Sequence, residues 1–128
     1  MTEHELQGIG LTEKEAEYLS RRIRWLEDEL MRITALIDGM PRAKNKPCEI
    51  REELMDLRRL LSEKRLEIIS KRICAEKYIQ SINDPLLRLV LGYRYIDRLT
   101  WSQVARRIGS GTTMDACRKM VERFFKKN

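Results

Sequence analysis

Ala16, Leu19, Ile23, Leu26, Leu30, Ile33 and Ile37 recur at spacings of 3, 4, 3, 4, 3 and 4. A seam with that period lies along one side of a helix and is stable only when another helix covers it. Trp25 and Leu36 widen the stripe, enough for more than one partner helix. Thr12 followed by Glu15 reads as a capping box, and Leu11 with Ala16 has the spacing of a hydrophobic staple, so the helix is expected to begin there. Residues 1–10 show no period, carry two glycines around Ile9, and are expected to form a mobile tail.

Asp38-Gly39-Met40-Pro41 stops the helix, and Arg42 to Lys46 is a polar, basic loop. Pro47 then suits the first turn of a second helix, where its missing N–H costs little. Ile50, Leu54, Leu57 and Leu61 carry a second seam, which drifts to Ile68, Ile69, Ile73 and Ile79. Two long amphipathic helices joined by about ten residues predict an antiparallel, coiled-coil-like hairpin over residues 1–83. Two helices bury little surface alone, so self-association through these seams, or docking of the rest of the chain, is expected to complete the core.

A chain that is 36% charged and only 6% aromatic, with few glycines and prolines, fits long helices and argues against a sheet protein. No stretch approaches the ~20 apolar residues that span a bilayer, and the acidic start lacks a secretory signature. The expected setting is the cytoplasm. Cys48, Cys74 and Cys117 are odd in number and far apart, and His4 is the single histidine. Neither a zinc site nor a disulfide framework fits that spacing. There is no P-loop, no G-x-G-x-x-G and no Ser/His/Asp set, so neither an enzyme nor a cofactor is expected.

The charge is uneven. Residues 1–83 hold sixteen basic and sixteen acidic side chains, whereas 84–128 hold ten basic and four acidic ones. The whole excess of +6 therefore lies in the last third, which is the electrostatic footprint of a polyanion binder.

That last third has its own punctuation. Asp84 and Pro85 cap a helix whose apolar residues, Leu86 to Ile96, run nearly all round, as in a centrally buried helix. Asp97-Arg98-Leu99 turns into Thr100, which forms a capping box with Gln103. Trp101, Val104, Ala105 and Ile108 then make one stripe over two turns, and Gly109 stands where a left-handed residue ends a helix. Thr112 or Thr113 caps another helix with Ala116, Cys117, Met120, Val121 and Phe124 as its apolar side. Two short helices joined by a glycine turn, the second basic, read as a helix-turn-helix over 84–128. The small Ala105 lets the second helix cross close by.

The stretch 89–109, Leu-Val-Leu-Gly-Tyr-Arg-Tyr-Ile-Asp-Arg-Leu-Thr-Trp-Ser-Gln-Val-Ala-Arg-Arg-Ile-Gly, resembles sigma-factor region 4. There an apolar helix ending near Arg-Tyr leads through a short turn to Ser/Thr-aromatic-x-x-Ile/Val-Ala-x-x-Leu/Ile-Gly. The whole chain is similar to phage-encoded, sigma-region-4-like transcriptional regulators of Gram-positive bacteria, which carry a long helical segment ahead of such a domain. The resemblance implies binding of double-stranded DNA by the second helix in the major groove and, for sigma-like members, contact with RNA polymerase. One departure is visible: the positions six and nine beyond Gly109 are Asp115 and Arg118, where the common pattern is apolar. The turn is thus two residues longer, through Ser110-Gly111-Thr112-Thr113.

On a second helix spanning 113–126, turning Ala116, Met120 and Phe124 inward leaves Arg118, Lys119, Glu122 and Lys126 outward. Arg118 has the fork that reads guanine, Lys119 reaches guanine or phosphate, and Glu122 can accept from a cytosine amine or pair within the chain. Thr112 and Thr113 suit phosphate contacts at a helix start. Ser102, Arg106 and Arg107 would follow the backbone from the first helix, and Arg123, Lys126 and Lys127 extend the patch. The function these residues imply is sequence-specific transcriptional regulation. Alternatives are a small terminase-type DNA-packaging subunit and a coiled-coil adaptor whose basic end binds RNA polymerase.

Overall fold

The structure, a computed structural model, describes residues 1–37 and 45–127. Among these all regular structure is helical: α1 (Glu3–Ile37), α2 (Asn45–Gln80), α3 (Pro85–Leu91), a π-helical turn (Gly92–Ile96), α4 (Trp101–Ile108) and α5 (Met114–Lys127). The expected stop at 38–41 and the loop residues 42–44 lie outside the described residues, while Asn45 and Lys46 already belong to α2. No described helix is long and apolar enough to cross a membrane.

The chain forms two compact units, one of Met1–Leu11 with Ile68–Asn128 and the other of Thr12–Glu67. Segments 1–11 and 68–83, expected to belong to the 1–83 hairpin segment, thus fall in the unit that holds 84–128. By sequence the first unit holds thirteen basic and seven acidic residues and the second thirteen of each, so the net +6 again lies in one unit.

In the 12–67 unit, Ala16, Leu19, Ile23 and Leu26 are buried, as are Leu54 and Leu61. Leu30 and Ile33 are only half-buried, so the seam is closed at its start and open further along. Ion pairs join α1 to α2: Glu15 to Lys64 at 3.2 Å, Arg22 to Glu53 at 3.1 Å and Glu27 to Arg58 at 3.1 Å. Such exposed pairs contribute about 0–1 kcal/mol each, so the apolar seam carries the packing. Trp25 and Leu36, expected to widen it, are instead 58% and 68% exposed.

The start of α1 departs most from expectation. Residues 3–10 are helical, not a tail, and Leu6 and Ile9 are 1% and 0% exposed. Thr2 supplies the cap, its hydroxyl accepting from the Glu5 N–H at 3.1 Å. Thr12 is therefore mid-helix and buried, and the Thr12–Glu15 capping box does not form. Two glycines each weaken a helix by about 1 kcal/mol. Burying a Leu and an Ile contributes about 1.5–3 kcal/mol apiece and outweighs that.

Leu6 and Ile9 enter a core made with Ala75 and Ile79 of α2, Leu87, Val90 and Leu91 of α3, Tyr95 of the π-helical turn, Val104 and Ala105 of α4, and Cys117 and Val121 of α5. The Tyr95 hydroxyl donates to a Glu3 carboxylate oxygen at 3.1 Å. Burial, reinforced by the Glu3 charge, raises the tyrosine pKa above its ordinary value and keeps that donor proton in place.

Asp84 caps α3, accepting from the Leu86 and Leu87 N–H groups at 3.0 and 3.4 Å, with Pro85 as the first helical residue. The helix is not buried all round: Leu86 and Leu89 are exposed. After Leu91 the helix widens, with the Asp97 N–H donating to Gly92 O at 3.0 Å. The extra residue per turn brings Tyr95 into the core. Arg98, at φ +59°, then reverses the chain, and the Leu99 N–H closes onto Tyr93 O at 3.0 Å.

Candidate nucleic-acid interface

The α4–turn–α5 segment is positioned by local hydrogen bonds that its sequence supplies. Thr100 and Gln103 form both halves of the capping box: the Gln103 N–H donates to the Thr100 hydroxyl at 3.2 Å, and the Thr100 N–H to the Gln103 side-chain oxygen at 2.9 Å. Behind α4, the Arg94 guanidinium lies 4.5 Å from the Trp101 ring centroid and donates to Leu99 O at 3.0 Å. This cation–π contact links the π-helical turn to the first residue of α4.

At the other end, the Gly109 N–H donates to Ala105 O at 3.0 Å. Gly109 has φ +74° and ψ −155°. Its φ is positive as expected, but its ψ is extended instead of left-handed helical. That region is open to glycine and essentially closed to other residues. Ser110 at φ +55° and Gly111 at φ +74° follow, and the Thr112 N–H returns to Gly109 O at 3.0 Å. Thr113, of the two threonines expected as caps, takes the role: its hydroxyl accepts from the Ala116 N–H at 3.1 Å.

Cys117 and Val121 are the inward residues of α5, against the α4 residues Val104 and Ala105. Burial pushes the Cys117 thiol pKa up, so it stays a neutral thiol in the core. Ala116, expected to face inward, is exposed, because the buried axis runs one position further on. Phe124 and Phe125 close the end of the helix: Phe124 lies 6.5 Å from Tyr78, and Phe125 packs edge-on to Tyr95 at 6.5 Å.

With that axis fixed, Arg118, Lys119, Glu122, Arg123 and Lys126 are all exposed on α5. Ser102, Arg106 and Arg107 are exposed on α4, Thr113 is exposed and Thr112 is half-buried. Lys127 is exposed at the end of α5, and all eleven residues singled out from the sequence thus lie on the α4–turn–α5 segment. A shallow cleft of about 620 Å³ beside α5 is lined by Lys119, Arg123 and Lys127 and by the carboxylates of Asp84 and Asp115, with Thr113, Leu87 and Phe124 completing it. Arg118 is not alone: its NH2 lies 3.2 Å from an Asp115 oxygen and its Nε 3.9 Å from a Glu122 oxygen. In the sequence Asp115 stands out only as a departure from the apolar family pattern. Its three-residue offset from Arg118 was the signal for this pair, because i and i+3 share a helix face.

Among the described residues no group of three or more His, Cys, Asp or Glu side chains is placed to hold a metal ion. His4 sits exposed on α1. No protein-family model, curated protein or solved structure matches this chain.

Proposed function

We propose that this protein is a sequence-specific, DNA-binding regulator of transcription of phage or prophage origin. In this reading α4 and α5 are a helix-turn-helix of the sigma-region-4 kind, and α5 enters the major groove. One observation carries it: the net charge of +6 lies in a single unit, and there the exposed faces of α4 and α5 present Arg106, Arg107, Arg118, Lys119, Arg123, Lys126 and Lys127. Arg106 and Arg107 contact phosphates, whose neutralisation releases counterions. Arg118 and Lys119 reach base edges, and the Thr113 hydroxyl, already accepting from Ala116, keeps its proton to donate to a phosphate oxygen. The segment from α1 to α2 is an antiparallel hairpin that supports self-association.

A second reading is favoured by the apolar residues exposed on the 12–67 unit, Tyr18, Trp25 and Met31 among them. Here the helices dock a protein such as RNA polymerase, and DNA contact is absent or secondary. Fluorescence anisotropy of the full chain with a labelled random-sequence duplex at low salt separates the two, and selection from a random duplex pool follows. The regulator reading expects binding and enrichment of one short motif. A folded chain that leaves duplex DNA unbound would replace it with this docking reading.

A further inference from the structure

The outer face of α5 holds a three-residue constellation in which Arg118 is bracketed by acids one turn to either side. The Asp115 carboxylate lies 3.2 Å from Arg118 NH2, and the Glu122 carboxylate 3.9 Å from Nε. All three side chains are about half to two-thirds exposed, so the pairs add little to stability. Their consequence is directional.

A guanidinium offers five N–H donors on a planar fork. The hydrogen bond to Asp115 takes one NH2 proton, while the Glu122 oxygen, 3.9 Å from Nε, is beyond hydrogen-bond reach and acts through its charge, which leaves NH1 and the second NH2 proton to donate on the outer edge. Two parallel donors on that edge match the O6 and N7 acceptors of guanine. The acids also sort the ligands that Arg118 can take. A phosphate oxygen approaching it carries a full negative charge and meets two carboxylates. A guanine edge is neutral and pays no such repulsion. Leaving water for the groove strengthens both effects, because charge interactions grow as the effective dielectric falls.

We infer that Asp115 is the positioning residue for base recognition: with Glu122 it presents Arg118 edge-on to a guanine and turns it away from the phosphate backbone. This rests on the reading of α5 as the helix that enters the major groove. It assigns Asp115, a side chain of the wrong sign for DNA contact, a place in specificity.

The test uses the full chain, a duplex enriched from a random pool, and versions of that duplex with each guanine–cytosine pair changed to adenine–thymine in turn. Asp115→Ala and the near-isosteric Asp115→Asn are compared with the parent, with helix content by circular dichroism as the check on folding. Because Asp115 is exposed, both variants are expected to fold as the parent does. Asp115→Ala should bind random duplex more tightly than the parent. It should also lose about fivefold or more of its discrimination at one guanine position, the position at which Arg118→Ala loses it. In an Arg118→Ala background, Asp115→Ala should leave discrimination unchanged, because there is no longer a fork to aim. Unchanged discrimination in Asp115→Ala, or the same loss with and without Arg118, would overturn the positioning role while leaving the DNA-binding reading intact. A parent chain that enriches no duplex would remove both.

Discussion

Gly109 is the residue on which the turn between α4 and α5 depends most sharply. Its φ of +74° with ψ −155° suits glycine alone, while nothing lies within 4 Å of where a Cβ would stand. The cost of substitution is therefore backbone strain and not a clash. Gly109→Ala and Gly109→Val should both lower stability, by about 1–3 kcal/mol, with valine the worse. Thermal unfolding of the two variants checks this, and a melt matching the parent would show that the turn relaxes at no cost. Gly109, Asp84 and the Thr100–Gln103 box were legible in the sequence because each acts within four residues of itself. The ψ of Gly109 was not, since it depends on the two residues after it also turning at positive φ. Nor was the shift of the buried axis of α5 from Ala116 to Cys117, which the packing against Val104 and Ala105 decides.

Helix α1 shows the opposite balance. Its seam was legible because seven apolar residues share one period, and Ala16 to Leu26 are buried as that period requires. Its first two turns were not legible: glycines at 8 and 10 oppose helix locally, and only a tertiary core makes Leu6 and Ile9 worth ordering. Leu6→Ala and Ile9→Ala should each destabilise by about 2–5 kcal/mol, the range for emptying a closed core site. Leu26→Ala should fall in the same range, whereas Leu30→Ala, only half-buried, should cost clearly less. Denaturant unfolding of the four variants orders them. Equal, small losses at Leu6 and Leu30 would mean that the start of α1 is not held in the core. The π-helical turn at Gly92–Ile96 left no sequence signal either, since its reason is the placement of Tyr95 against Glu3 and Phe125.

For the whole molecule, the charge asymmetry and the core point to the same unit. The basic face of α4 and α5 stands on a core that needs residues from both ends of the sequence, so a fragment of 84–128 alone lacks Leu6, Ile9, Ala75 and Ile79. Function is therefore to be measured on the full chain. Affinity for an enriched duplex and for random duplex, each at two salt concentrations, separates backbone from base contacts. For the parent, binding should weaken steeply as salt rises. Arg106→Ala and Arg107→Ala should weaken both duplexes alike and flatten the salt slope by ~1 for each lost phosphate contact. Arg118→Ala should cost about 1–3 kcal/mol on the enriched duplex and much less on the random one. Duplex affinity that ignores salt, or a folded chain that binds neither duplex at low salt, would contradict DNA binding by α4 and α5.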